Sequence, residues 1–413
     1  MSNSSINTSS SIVINLRQIL YATVFMFTFS EVLLSSRVVF MSTAIFSVAG
    51  LFVNLSRVMM IMLFIINVDR LRLTTFVELS LLLCLIVISH KVTTIWALFD
   101  LFFLPFFLKK YASPKIYKCF LYAILSGCAV VILFHYMGVL PEIIYYRRNM
   151  RVRYSFGFSN PNSFSRYVML SDILFILLRK DKLKYWHIGV IFASALFVYQ
   201  FPNTITVAAM IVLMSLVLLI NKLLDGKLIN FWACRAGIVL VIPCMIAVFA
   251  FLMVYYRSQP GMLYRIDNTI QARFIMGFRG IDDYGIHLFG NNISFVSSSS
   301  AGTLAQGEYF VIDSLFFYLP VRMGIIITVM FFSFYMWLLV NAVRERRFYC
   351  AVALLIVGCY SMFENAMLSS YAFVFSFLMM DNIYTVTEQA KRLWNSIISG
   401  KRRRRRFHVK IKR

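Results

Sequence analysis

The fold is decided by stretches like residues 204–227, TITVAAMIVLMSLVLLINKLLDGK, in which 18 residues without a charge are followed by a short loop with two lysines. A helix that crosses a bilayer needs about 20 mostly apolar residues. Apolar and polar residues do not alternate here, which argues against a strand of a closed barrel, and a helix is the other structure that satisfies its backbone hydrogen bonds within lipid. The stretch therefore predicts a transmembrane helix that ends at a basic loop.

The same pattern recurs along the whole chain. Its 413 residues are 60% hydrophobic and 14% charged, whereas soluble chains are about half apolar and about a quarter charged. We predict an all-α polytopic membrane protein of about twelve transmembrane helices, near residues 18–35, 38–68, 74–90, 93–108, 116–138, 162–178, 185–200, 204–221, 235–256, 314–341, 347–363 and 366–384. The run 38–68 is too long for one straight helix, so it is one span, or two with a break at 54–57. Asp100 and Pro105 interrupt the short run 93–108.

The basic residues, which give a formal net charge of +24, are unevenly distributed. When the spans alternate in direction, most basic loops fall on one side: 69–72, 109–118, 179–184, 222–227, 344–347 and the tail 401–413. The positive-inside rule makes this side cytoplasmic. We therefore predict one transmembrane domain, 1–390, and a basic cytoplasmic tail, 391–413, with both termini cytoplasmic. The tail is expected to lie on anionic lipid headgroups rather than to bind nucleic acid.

Two connections then lie outside, 139–161 and the long loop 257–313. The apolar pieces 270–276 and 286–289 predict short helices within the long loop. The loop 139–161 breaks the positive-inside pattern because it carries Arg147, Arg148, Arg151 and Arg153 against a single acid, Glu142. Arginine suits bidentate binding of phosphate or carboxylate, whereas lysine serves equally well as a general topogenic charge. The loop thus predicts an anion site; the alternative is ion pairing with acids of the long loop, namely Asp267, Asp282, Asp283, Glu308 and Asp313.

The arginine-rich loop ends in Asn160-Pro161-Asn162. Asn as N-cap and Pro in the first position favour a helix start, whose unpaired N–H groups carry the positive end of the helix dipole. Asn162 and Arg166 are four residues apart and share a face of this helix. A charge about one turn inside a membrane is costly, so Arg166 either belongs to a substrate site or forms a salt bridge, with Asp172 or Glu364 as the acids available.

Further candidates lie in the long loop. Arg265, Arg273 and Arg279 could converge on a pyrophosphate. Glu308 and Asp313 are candidate general bases, although Asp313-Ser314 is also a good N-cap pair for the next helix. His287 is another candidate, or a structural histidine. The seven cysteines lie within or beside apolar runs, and no metal-ligand spacing, Gly-rich nucleotide loop or Ser/His/Asp arrangement is present in the sequence, so we expect no metal and no cofactor.

Three pieces of the sequence carry a resemblance to a known family. They are residues 151–162 with GFSNPN at 157–162, Ala272-Arg273 followed by Leu288-Phe289-Gly290, and residues 311–314 (VIDS) followed by Gly324-Ile325-Ile326. In this order the chain resembles the superfamily of Wzy-type polysaccharide polymerases and O-antigen ligases of bacterial membranes. The likeness in layout covers the whole chain, and the likeness in sequence is confined to these pieces. The ligase branch has a His near the position of Asp313, so the resemblance favours the polymerase branch.

The resemblance implies a metal-independent glycosyltransferase of the bacterial cytoplasmic membrane, acting on oligosaccharide repeat units linked to undecaprenyl diphosphate. Arg147, Arg151, Arg153 and Arg273 would hold the diphosphate as leaving group. The acceptor hydroxyl would attack with inversion, and Asp313 or Glu308 would accept its proton. Arg273→Ala and Arg151→Ala are each expected to abolish chain extension without loss of folded protein. A flippase and a chain-length regulator of the same pathway are the expected protein partners.

Three other functions fit parts of the sequence. A flippase or exporter of lipid-linked oligosaccharide is the closest alternative, but such proteins commonly have two similar halves, and no internal repeat is evident in the sequence. A membrane O-acyltransferase would depend on an intramembrane histidine, for which His135 is the candidate. A structural subunit of an export complex would leave the arginine-rich loop without a role.

Overall fold

The computed structural model describes residues 16–38, 43–67, 83–84, 87–88, 100, 114–140, 145–146, 152–258, 273–295 and 310–365. This part of the chain is mostly helical. Five of its helices are long and apolar enough to cross a membrane: Ala44–Leu63, Lys115–Tyr136, Ile205–Leu223, Trp232–Leu252 and Ile325–Arg344. The coarse prediction of a helical chain with membrane-spanning helices is therefore confirmed.

The described residues form the following elements in chain order. The helices are α1 (Leu16–Leu34), α2 (Thr43–Asn67), α3 (Pro114–Tyr136), α4 (Pro161–Arg179), α5 (Tyr185–Gln200), α6 (Ile205–Leu223), α7 (Trp232–Ser258), α8 (Arg273–Tyr284), α9 (Leu315–Tyr318), α10 (Ile325–Arg344) and α11 (Phe348–Ser361). Between α3 and α4, β1 (Tyr145–Tyr146) pairs antiparallel with β2 (Val152–Arg153). Helix α1 packs on α2 and α3, α4 packs on α3 and α6, and α11 packs on α6, α7 and α10.

The apolar runs predicted several of these helices closely. The runs 116–138, 162–178, 185–200, 204–221 and 347–363 correspond to α3, α4, α5, α6 and α11. The predicted spans 74–90 and 93–108 fall almost wholly outside the described residues, and 366–384, the tail and the termini fall outside them entirely.

The alternative with a break at residues 54–57 is wrong, because α2 continues through these residues. The polar groups are satisfied without a break. Arg57 donates from Nη1 to Asn54 Oδ1 over 2.8 Å, and from Nε and Nη2 to the two carboxylate oxygens of Asp100 over 2.8 and 2.6 Å. The acid that interrupts the run 93–108 is thus the partner of the arginine in α2.

The predicted span 314–341 is interrupted. Helix α9 passes into a π-helical turn, Leu319–Met323, and α10 begins after Gly324, whose φ is 91°. Pro320 lies in this turn; because proline lacks an N–H, it weakens a regular helix ladder. π-Helical turns of this kind are common at functional sites.

The residues after α8 cap α10 instead of forming the helix predicted at 286–289, which is wrong. The carbonyls of His287 and Leu288 accept from Ile325 N and Ile326 N over 3.0 and 3.3 Å. These are two of the N–H groups that a helix start leaves unpaired. The backbones come so close that a Cβ on Gly290 would overlap the carbonyl of Arg322. This segment of the long loop is therefore part of the start of α10.

The bundle has two chemically different ends. Helix α4 has 19 residues, so it is roughly 28 Å long at about 1.5 Å per residue, close to the ~30 Å of a bilayer core. At its start, Asn162 hydrogen-bonds Glu364, just beyond α11. At its other end, Lys180 shares a cavity with Gly226 and Arg346. Three of the basic loops, 179–184, 222–227 and 344–347, thus lie at one end, and Arg153, Asn162 and Glu364 lie at the other.

Candidate functional site

The start of α4 has the predicted cap. Asn160 is extended, with φ −151° and ψ 140°, and its side chain accepts from Asn162 N over 2.8 Å. Pro161 occupies the first turn, where its missing N–H has no cost. Asn160 therefore fixes the helix start, and Asn162 carries the side chain that reaches the other site residues.

The loop before α4 is anchored to the end of α1. Arg37 N donates to Gly157 O over 3.0 Å, and Ser159 N donates to Ser35 O over 3.1 Å. Gly157 has φ 81°, and a Cβ there would lie 3.0 Å from the Cβ of His135. The glycine of GFSNPN is thus required by both backbone conformation and space.

A chain of hydrogen bonds joins three segments that are distant in sequence. Arg153 donates from Nη2 to Asn162 Oδ1 over 2.6 Å, and Asn162 donates from Nδ2 to Glu364 Oε1 over 3.0 Å. Arg273 donates from Nη2 to the same oxygen over 2.8 Å and from Nη1 to Phe363 O over 2.6 Å. We call Arg153, Asn162, Glu364 and Arg273 the polar chain.

The ion pair within the polar chain is removed from water. The side chains of Arg273 and Glu364 are 7% and 8% exposed. Taking one partner away from a buried pair costs about 3–5 kcal/mol, because the other charge stays buried without compensation. Arg273→Ala is therefore expected to destabilise the protein, so the expectation that this variant loses only chain extension needs a stability control.

Helix α8, which begins with Arg273, is held against α9 by aromatic packing. The ring of Phe278 contacts Phe317 edge-on at 5.0 Å between centroids, and Phe274 contacts Phe249 at 5.1 Å. A Cβ on Gly277 would overlap the Phe317 ring, and one on Gly280 would lie 2.6 Å from Ile312 Cδ1. The glycines let α8 lie directly over the segment that carries Asp313.

Asp313 lies half-buried between the fully buried Ile312 and Ser314. The pKa of its carboxyl is raised to about 7, first by burial and then by the negative charge of Glu364, while the charges of Arg273 and Arg166 lower it. Ser314 is the N-cap residue of α9, but no side-chain hydrogen bond caps this helix among the described residues. N-capping therefore does not explain why an acid is placed here.

One other predicted residue, Arg166, lies near this cluster. Arg166 donates from Nη2 to Ser163 Oγ over 3.1 Å, and its charge acts on Asp313. Of the acids considered as its partners, Glu364 belongs to the polar chain, and Asp172 accepts from Ser194 Oγ over 2.6 Å. Arg166 thus contributes positive charge to the same end of the bundle.

Arg279 and His287 lie on the exposed surface of the long loop. Arg279 pairs with Asp283 at 3.2 Å, one helical turn away within the long loop itself. His287 Nε2 lies 3.1 Å from Tyr284 O, and the backbone carbonyl of His287 caps α10. The remaining candidates, Arg147, Arg151, Arg265 and Glu308, lie outside the described residues, and their roles stay predictions.

Sequence reasoning missed the central position of Glu364. The residue was considered only as a partner of Arg166, although a carboxylate between the apolar runs 347–363 and 366–384 is itself a signal. His135, the candidate for an acyltransferase, lies at the end of α3 with Nδ1 3.3 Å from Leu140 O.

Within the described ranges, no group of three or more His, Cys, Asp or Glu residues could hold a metal ion. Comparison with models of protein families, with curated proteins and with solved structures finds no match to the chain. The function is therefore inferred from the geometry of the site and from the sequence.

Proposed function

We propose that the protein is a polysaccharide polymerase that joins oligosaccharide repeat units carried on a lipid diphosphate, without metal or cofactor. The observation that carries the proposal is the half-buried carboxyl of Asp313, with its pKa of about 7, beside the polar chain. General bases work best with a pKa near the operating pH. A carboxylate tuned in this way, on which the charges of Arg273 and Arg166 act, suits a reaction that moves a proton and releases an anion.

In the proposed reaction, Asp313 accepts the proton of the acceptor hydroxyl as its oxygen attacks the anomeric carbon of the donor. The new glycosidic bond forms as the bond between that carbon and the diphosphate oxygen breaks, so the configuration inverts. The lipid diphosphate leaves with the extra negative charge, which arginines of the loop 147–153 stabilise. The sugar–diphosphate bond is already activated, so the reaction needs no nucleotide. Glu308 remains the alternative base.

Arg273 is better suited to position the site than to bind the diphosphate. Its side chain is 7% exposed and both of its terminal nitrogens already donate, one to Glu364 and one to Phe363 O, whereas Arg153 is half-buried. Through Glu364 it fixes Asn162, and through Asn162 it fixes the guanidinium of Arg153. The diphosphate contacts are therefore assigned to Arg147, Arg151 and Arg153, with Arg166 adding positive charge.

We place the polar chain at the outer face of the bacterial cytoplasmic membrane and the basic loops at its cytoplasmic face, in a chain of about twelve spans. This orientation follows the positive-inside rule. It is supported by the positions of the loops 179–184, 222–227 and 344–347 at the end opposite Arg153 and Glu364.

The test uses the purified protein in liposomes with lipid-diphosphate-linked repeat units. The wild type should lengthen the chains, whereas a flippase would move them across the bilayer unchanged. Asp313→Asn keeps the shape of the side chain and removes the base, and we expect a loss of about 10²- to 10⁴-fold. Asp283→Asn, in the exposed pair with Arg279, is the matched control and should retain activity. Unchanged lengthening by Asp313→Asn would exclude Asp313 as the base.

A further inference from the structure

A second site lies at the end of the bundle opposite the polar chain. A cavity of about 280 Å³ is formed there by the ends of α4 and α6 and by the connection from α10 to α11. Its polar lining is Lys180, Asn221, Arg346 and Arg347, and Leu177 and Ile229 provide part of an apolar wall. No carboxylate belongs to the described residues that line it. At the lower limit of the usual ~300–1,000 Å³ of ligand pockets, it has room for a headgroup rather than for an oligosaccharide.

Asn221 gives the cavity a polar group that the fold does not use. The residue is 4% exposed, and its Oδ1 accepts from Leu228 N over 3.3 Å. Among the described residues, its side-chain N–H₂ group has no acceptor. Buried polar groups normally have a partner. A donor that lines a basic cavity in this way is suited to an oxygen of a bound anion.

Arg346 occupies a backbone position that normally belongs to glycine. The end of α10 is a Schellman motif, in which Arg347 N donates to Ala342 O over 2.8 Å and Arg346 N donates to Val343 O over 3.1 Å. In this motif the residue after the C-cap has a left-handed backbone conformation and is usually glycine. Here it is Arg346 with φ 54°. Strain of this kind at a non-glycine residue is typical of functional positions.

Lys180, across the cavity, is also left-handed, with φ 38°. Two of the three cations of the cavity therefore have a positive φ, as do Asp225 and Gly226 in the neighbouring turn, with φ 50° and 76°. The third cation, Arg347, forms an ion pair with Glu345. The excess positive charge of the cavity is thus carried by Lys180 and Arg346.

We infer that this cavity binds a phosphate group, either the headgroup phosphate of an anionic lipid or free phosphate. The cations and the amide of Asn221 match phosphate oxygens. The apolar wall fits the glycerol and first methylenes of a lipid. Bound there, the phosphate joins α4, α6 and the connection between α10 and α11 at one point. The site is separate from the glycosyl transfer proposed above.

The experiment measures binding to the full chain in phosphatidylcholine nanodiscs, with short-chain phosphatidylglycerol in one arm and inorganic phosphate in the other. Lys180→Gln with Arg346→Gln should weaken binding of the lipid about tenfold or more. Lys182→Gln removes a lysine from the same loop that does not line the cavity, and it should bind as the wild type does. If phosphate binds and displaces the lipid, the site belongs to free phosphate; if the lipid alone binds, it belongs to the headgroup.

A second variant separates ligand binding from a structural role. Arg346→Gly restores the preferred residue of the Schellman motif, so it should raise the midpoint of thermal unfolding measured without ligand while weakening binding. A lower midpoint would assign Arg346 to structure alone and overturn the inference. Equal binding of either ligand by the wild type and the Lys180/Arg346 double variant would overturn it as well.

Discussion

Replacing Glu364 by Gln removes one negative charge beside Asp313 while keeping an oxygen for the donors of Asn162 and Arg273. Burial is the first cause of the raised pKa of Asp313 and the charge of Glu364 the second, while Arg273 and Arg166 lower it. In Glu364→Gln the second cause is gone and the charge of Arg273 acts on Asp313 without its carboxylate partner. Both changes lower the pKa of Asp313.

The size of the effect follows from the wild-type value. With a pKa of about 7, roughly one Asp313 carboxyl in eleven is ionised at pH 6 and about ten in eleven at pH 8, so a rate that needs the base rises about tenfold between them. In Glu364→Gln, more of the base is ionised at pH 6. The ratio of the rates at pH 8 and pH 6 should therefore fall well below ten.

The assay is initial chain lengthening in liposomes at pH 6, 7 and 8 with saturating lipid-linked repeat units. Titration of the substrate diphosphate is the same for both proteins, so the difference between their profiles isolates the enzyme. Asp225→Asn, an exposed acid at the opposite end of the bundle, is the control and should keep the tenfold ratio. A wild-type ratio in Glu364→Gln would refute the electrostatic coupling of these two carboxyls.

Four further results are expected. Arg273→Ala should lower the midpoint of thermal unfolding in detergent, with a cost of about 3–5 kcal/mol in the free energy of unfolding. The double variant Arg273→Met/Glu364→Met should lose less stability than the two single variants lose in sum. Strict additivity of these losses would contradict the pairing. Arg151→Ala should abolish chain extension while the protein stays folded by size-exclusion chromatography, and normal extension would remove Arg151 from the diphosphate site. Asp313→Asn should flatten the pH dependence of the thermal midpoint. The native carboxyl keeps its proton above the ordinary pKa of 3.8 and up to about 7, so this group makes the wild type less stable as pH rises through that window. An unchanged slope would argue against the raised pKa. Deleting residues 401–413 should reduce the yield of inserted protein more than the activity per molecule, and selective loss of activity would give the tail another role.

Local signals in the sequence predicted most of the helices. The limits of α5 are the predicted ones, 185–200, because a charged loop and a Phe-Pro-Asn turn bound an unbroken apolar run. The cap at Asn160 was predicted for a similar reason, since cap, proline and helix are adjacent in sequence. Where the interacting groups are neighbours along the chain, the local sequence pattern is enough to predict the limits and the cap of a helix.

The incorrect or missed predictions concern groups that interact across long separations in the sequence. Helix α2 continues through residues 54–57 because Arg57 finds Asp100, 43 positions away. Glu364 is central because Arg273 lies 91 positions before it and Asn162 lies 202 before it. Pairings at such separations leave no periodic trace in one sequence. The candidate site was therefore predicted as separate groups of residues, and their connection through Glu364 was not.

The contact between Gly290 and Gly324 constrains how the protein can change over time. A side chain on either glycine would overlap the backbone around the other. Neither position therefore tolerates a substitution unless the two backbone segments move apart. Distant homologues should retain both glycines, or should lose both together with a change in the contact between the two backbone segments. Such paired retention or loss would be visible in an alignment of distant homologues even where the rest of the long loop has diverged beyond recognition.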